Sequence, residues 1–137
     1  VQAQLEALFA RALPLAPTLT ALFEQAIDVY TQPRSAPRGC LLASAATAEA
    51  PQSAELRSAV REALLAIEAT LRQGLTQCPR TPDARGRPPA LDVEAAGLLA
   101  ASFLYALSVR ARLGVAERRL RADVPRLVAA VCRATPT

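Results

Sequence analysis

Asp92-Val93-Glu94-Ala95-Ala96-Gly97-Leu98-Leu99-Ala100-Ala101-Ser102-Phe103-Leu104-Tyr105-Ala106-Leu107-Ser108-Val109-Arg110 is the stretch on which the fold turns. It opens on a good helix N-cap, Asp92, places Glu94 in the first turn, and then runs from Ala95 to Val109 without a charge. The uncharged run is shorter than the ~18 residues of a bilayer span and is closed on both sides by charges, so it is expected inside protein. Small residues, Gly97, Ala100, Ala101, Ala106 and Ser108, allow close helix approach, while Leu98, Leu99, Phe103, Leu104 and Leu107 put apolar bulk on more than one side. A single core face does not account for all of it, and a partner surface is expected.

Downstream, Gly114 after Leu113 stands where a left-handed C-terminal cap belongs, with Val115 placed for the accompanying apolar contact. A last helix from about Ala116 carries Leu120, Val124, Leu127 and Val131 at spacings of four, three and four; Pro125 is expected to kink or restart it. Upstream, Cys78 to Ala90 holds four prolines, three arginines and a glycine with no periodicity, and reads as a loop. Before it, Ser53 is placed to cap a helix with Glu55 in its first turn, along which Leu56, Val60, Leu64, Ile67, Leu71 and Leu75 recur every three or four residues. Glu68 and Arg72 form a favourable i, i+4 pair on its outer side.

The N-terminal part shows two more amphipathic stretches. Leu5, Leu8, Phe9 and Ala12 mark a helix from Gln2 to Leu13, ended by Pro14 and Pro17; Leu19, Leu22, Phe23, Ala26, Ile27 and Tyr30 mark another from Thr18 to Thr31. Between Pro33 and Ser53 lies Cys40-Leu41-Leu42-Ala43-Ser44-Ala45-Ala46-Thr47-Ala48-Glu49-Ala50, nearly uncharged and suited to a buried helix.

Composition agrees with an all-α domain: 31 alanines and 21 leucines among 137 residues, five glycines and 4% aromatics favour helix over strand. The length suits one domain over residues 1–137. There is no histidine, so the commonest metal ligand and general base are missing; Cys40, Ser44, Asp28 and Glu49 form no recognised catalytic constellation. No enzyme activity, metal or cofactor is expected. The three cysteines, 40, 78 and 132, lack CxxC spacing and read as reduced thiols of a cytoplasmic protein. With no methionine, Val1 is not an ordinary start, and the chain is expected to be a piece of something longer. All 16 basic residues are arginine. Seven of them lie between Arg110 and Arg133 against Glu117 and Asp123. That stripe suggests phosphate binding, but arginines interleaved with apolar residues more simply form a solvated helix face.

The order of features, Gly39-Cys40-Leu41-Leu42 opening a helix, the long helix with Glu55-Leu56-Arg57, the loop, the alanine-rich Asp92–Leu113 helix ending in Gly114 and a final amphipathic helix, resembles the C-terminal domain of TetR-family transcriptional regulators over nearly the whole chain. It departs at Leu104-Tyr105-Ala106, where many members have a Gln-Gly pair. The resemblance implies an orthogonal or antiparallel bundle of about six helices that senses a small effector and dimerises, as half of a repressor. Operator DNA would be read by a helix-turn-helix domain preceding this chain. It implies a homodimer through the last two helices, with Leu98, Ala101, Leu104, Tyr105, Ser108, Leu120, Val124, Leu127, Val128 and Val131 at the interface.

For the effector, Cys40, Ser44 and Thr47 form a small polar stripe at spacings of four and three. Facing it are expected Phe23, Ile27 and Tyr30, then Leu64, Ile67 and Leu71, and Phe103, a mostly apolar lining that favours a lipophilic, neutral ligand. The same residues would equally serve as plain core, which leaves a homodimeric helical interaction module without a ligand as the alternative.

Overall fold

The computed structural model describes residues 1–32, 40 and 52–136. Among them the chain is all-helical, with five helices: α1 (Gln2–Phe9), α2 (Leu15–Thr31), α3 (Ala54–Gln77), α4 (Val93–Arg112) and α5 (Glu117–Cys132). The helix expected after Cys40 lies outside the described residues.

The helix ends show why these boundaries hold. Ser53 Oγ accepts the Leu56 N–H at 3.2 Å and starts α3; Asp92 Oδ1 accepts the Ala95 N–H at 3.0 Å and starts α4. At the end of α4, Gly114 has φ +84°, the Val115 N–H donates to the Arg110 carbonyl, and the Gly114 N–H donates to that of Ala111, the paired bonds of a Schellman cap. Val115 then packs against the core, as its position after the glycine implies.

Three expectations are corrected. Helix α1 stops at Phe9, short of Leu13. Helix α2 starts at Leu15, with Pro14 as its cap and Pro17 inside its first turn. Proline costs nothing there, because the first N–H groups of a helix have no partner within it. The Thr18 hydroxyl, buried, donates to the Leu13 carbonyl at 3.0 Å and closes the junction between the two helices. Helix α5 also runs unbroken through Pro125, which sits on its exposed side.

Helix α4 packs against α2, α3 and α5; α2 packs against α5; and α1 lies across α3 and α2. The core shared by these contacts is built on Leu19, Phe23 and Ile27 of α2, Leu71 and Leu75 of α3, Ala96, Ala100, Leu107 and Ala111 of α4, and Leu120, Val124 and Val131 of α5. One backbone bond ties α2 to the end of α3, from the Leu15 N–H to the Pro79 carbonyl at 3.1 Å, and another ties the start of α4 to the chain end, from the Asp92 N–H to the Ala134 carbonyl at 2.8 Å.

Candidate functional site

Helix α4 has two working faces. Its inner face carries small residues, Ala96, Ala100 and Ala111, which let α2, α3 and α5 approach; Ser108 shares that face. Ser108 is buried, and its Oγ accepts the backbone N–H of Cys40 at 2.6 Å. Within the chain this residue, expected at a dimer interface, has its hydroxyl turned into the interior, where it satisfies a backbone donor that burial would otherwise leave costly. The buried small residues at spacings of four along α4 were the available signal for its direction.

Close to this bond stands Tyr30, partly buried at the end of α2. Burial raises the pKa of its phenol well above the usual tyrosine range, and the nearby Cys40 thiol adds to the shift. Further along α2, the Phe23 ring meets that of Phe103 edge-on, with centroids 6.2 Å apart and planes at 65°. The structure therefore brings Phe23, Tyr30, Cys40 and Phe103 to one region between α2 and α4. Ile27 and Leu71 are fully buried in the adjoining core, Ile67 packs against it partly buried, and Leu64 is partly buried on α3. Ser44 and Thr47 lie outside the described residues. What is gathered is apolar and aromatic, with a phenol, a thiol and a hydroxyl as its polar groups.

The outer face of α4 is a stripe of exposed apolar residues. Leu98 is 58% exposed, Tyr105 41%, Val109 37% and Leu113, just past the helix end, 78%. Ser102 and Ala106 are exposed among them, and Ala101 and Leu104 are half-buried at its border. Val109 and Leu113 were missed from sequence although they continue the Leu98, Tyr105 spacing. On α5, Ala122 and Pro125 are exposed. On the same helix, Leu120, Val124, Val128 and Val131 are buried against the chain's own core, and Leu127 is half-buried. By length and mean hydropathy α4 also resembles a membrane span, as core helices do, and its inner face is already packed.

Ion pairs hold the hairpin of α4 and α5. Arg110 binds Asp123 at 2.8 Å, and that hydrogen bond, reinforced by the surrounding guanidinium charges, keeps the Asp123 carboxyl below its ordinary pKa. Arg121 reaches Glu24 and Asp28 on α2 and Glu117 on its own helix. Arg72 of α3 lies 3.5 Å from Glu94 of α4 and 3.8 Å from Glu68.

No protein-family model matches the chain, and no curated protein matches it. A solved structure does: a cysteine mutant of the TetR family transcriptional regulator CifR, complexed with 26-bp double-strand operator DNA, aligns with a TM-score of 0.70 and 25% identity. The alignment covers 93% of this chain and 65% of that one, so the chain spans about two thirds of the regulator it is similar to.

Proposed function

Because the chain is a TetR-like all-α domain, we propose that residues 1–137 form the ligand-sensing and dimerisation domain of a cytoplasmic, non-enzymatic transcriptional repressor. In this reading it pairs with a second copy through the outer face of α4 and the neighbouring part of α5. It takes a small, neutral, lipophilic effector between α2, α3 and α4, and thereby alters DNA binding by a separate helix-turn-helix domain. The observation that carries the proposal is that α4 bears both faces: Ser108 turned in toward Cys40 and Tyr30, and Leu98, Tyr105 and Val109 turned out and exposed. A change of packing on the inside displaces the outer stripe with it, because one helix backbone carries both. An effector that prefers one arrangement then shifts the population of dimer geometries, with couplings of about 1–3 kcal/mol typical of such linkage. Burial keeps the Tyr30 phenol in its neutral form, which favours a neutral ligand with a hydrogen-bonding function.

Sedimentation equilibrium of the 137-residue chain is the first test, and a dimer that Leu98→Arg converts to monomer is the expected result; a chain monomeric at every concentration rejects the reading. A homodimeric module without a ligand is favoured by the complete burial of Phe23, Ile27 and Leu71, which suits plain core. A panel of neutral lipophilic compounds separates the two, since a bound ligand raises the melting temperature with its concentration.

A further inference from the structure

Arg119, Arg126 and Arg133 recur every seven residues along α5 and its cap, which places them in one line, about 10 Å apart in rise. All three are exposed, and among the described residues none is in a salt bridge. Among the described residues, Arg110 and Arg121 of the hairpin already hold the acids nearby. Arg110 holds Asp123, on which Arg119 and Arg126 act only at longer range, and Arg121 holds Glu24, Asp28 and Glu117. Glu94, at the far end of α4, is drawn to Arg72. The outer stripe of α4 from Leu98 to Val109 contains no acid.

A two-fold contact presents the same surface from both sides, so a second copy brings a second arginine row, and the α4 stripe it pairs with carries no carboxylate. Apolar association at this face therefore has to gather six like charges. We propose that dimerisation through this face is anion-linked: the dimer takes up multivalent oxyanions, such as phosphate or sulfate, alongside the paired arginine rows, and associates more tightly as they are supplied. The inference rests on the dimer proposed above. Guanidinium groups suit the role because each offers a planar fork of donors to an oxyanion. The repulsion itself reaches across the face at low salt, where the screening length is about 30 Å, and is nearly abolished at about 3 Å in molar salt.

The test is sedimentation equilibrium of the full 137-residue chain in about 10 mM and about 1 M chloride, and in low chloride with added inorganic phosphate. The expected result is a dimer dissociation constant roughly tenfold lower in high chloride. Phosphate at millimolar concentration should achieve the same at far lower ionic strength. The combined Arg119→Gln, Arg126→Gln and Arg133→Gln variant should dimerise tightly in low salt and respond to neither addition. Because salt also strengthens apolar contact, the residual dependence of that variant measures the apolar part. A matched variant on α3, Arg57→Gln with Arg61→Gln, both exposed, should behave as the parent. An unchanged salt response in the α5 variant overturns the proposal, as does weaker association in high salt. Monomer in every condition, the α5 variant in molar chloride included, overturns the dimer reading itself.

Discussion

The ring of Phe9 fills the space that a Cβ at Gly74 would occupy. Helix α1 is thus seated on α3 through the bare backbone of one glycine, two turns beyond Ile67 and one beyond Leu71. Any side chain at position 74 must displace the ring or part the helices, as α1 has few other residues to anchor it: Leu5 and Leu8 are its buried ones.

Gly74→Ala is accordingly expected to destabilise the chain by about 1–3 kcal/mol despite the better helix propensity of alanine, an overpacking cost. Urea denaturation of this variant, Phe9→Ala and the double variant checks it. The two losses should be strongly non-additive, since removing the ring makes room for the methyl. Additive losses would mean that the two residues act separately.

Leu98→Arg and Tyr105→Arg alter exposed positions and are expected to abolish dimerisation while leaving the melting of the monomer nearly unchanged. Leu120→Ala, fully buried, should do the reverse: a loss of about 2–5 kcal/mol in stability, with the association of the remaining folded chain intact. Sedimentation and denaturation on the same samples separate the two roles.

Tyr30 contributes to the alkaline limit. Its folded-state pKa lies above the ordinary value of 10.0, so the unfolded chain loses the proton first. The stability linked to the neutral phenol is present below pH 10 and drains away as pH rises beyond it. In Tyr30→Phe that component of the alkaline loss should vanish in a comparison of melting temperatures from pH 9 upward.

Asp123 acts in the opposite direction. Its folded-state pKa is lowered, chiefly by the hydrogen bond from Arg110, so its contribution is present above the ordinary value of 3.8 and is lost as pH falls through the lower folded value. Asp123→Asn and Arg110→Gln should each flatten the acid limb of the stability profile, and the double variant should flatten it no further.

How far the sequence foretold this arrangement depended on the kind of signal. Caps are local chemistry, and Ser53, Asp92 and Gly114 act as their residue types suggest. Prolines were misjudged for lack of register: Pro17 reads as a breaker until the helix is known to start at Leu15, where a missing N–H is harmless. The apolar row Leu120, Val124 and Val131 was visible as a row, yet periodicity reports the direction of a face and not its occupant; within the chain the row packs into the core that α2 and α4 share with α5. For Ser108 the immediate neighbours Leu107 and Val109 do not tell interior from surface, and only the small residues Ala96 and Ala100 earlier on the helix mark the side on which its hydroxyl meets the Cys40 N–H. The aromatic pair of Phe23 and Phe103, from helices far apart in sequence, was expected on the same side and does meet.

The bond from the Asp92 N–H to the Ala134 carbonyl has a mechanical meaning. A pull on the last residues of the chain is not delivered first to the end of α5; it is delivered to this bond, which diverts the load to the start of α4. The tail is belayed to the helix that carries both working faces. Tension from anything joined after Thr137 would be felt at α4 as well as at α5.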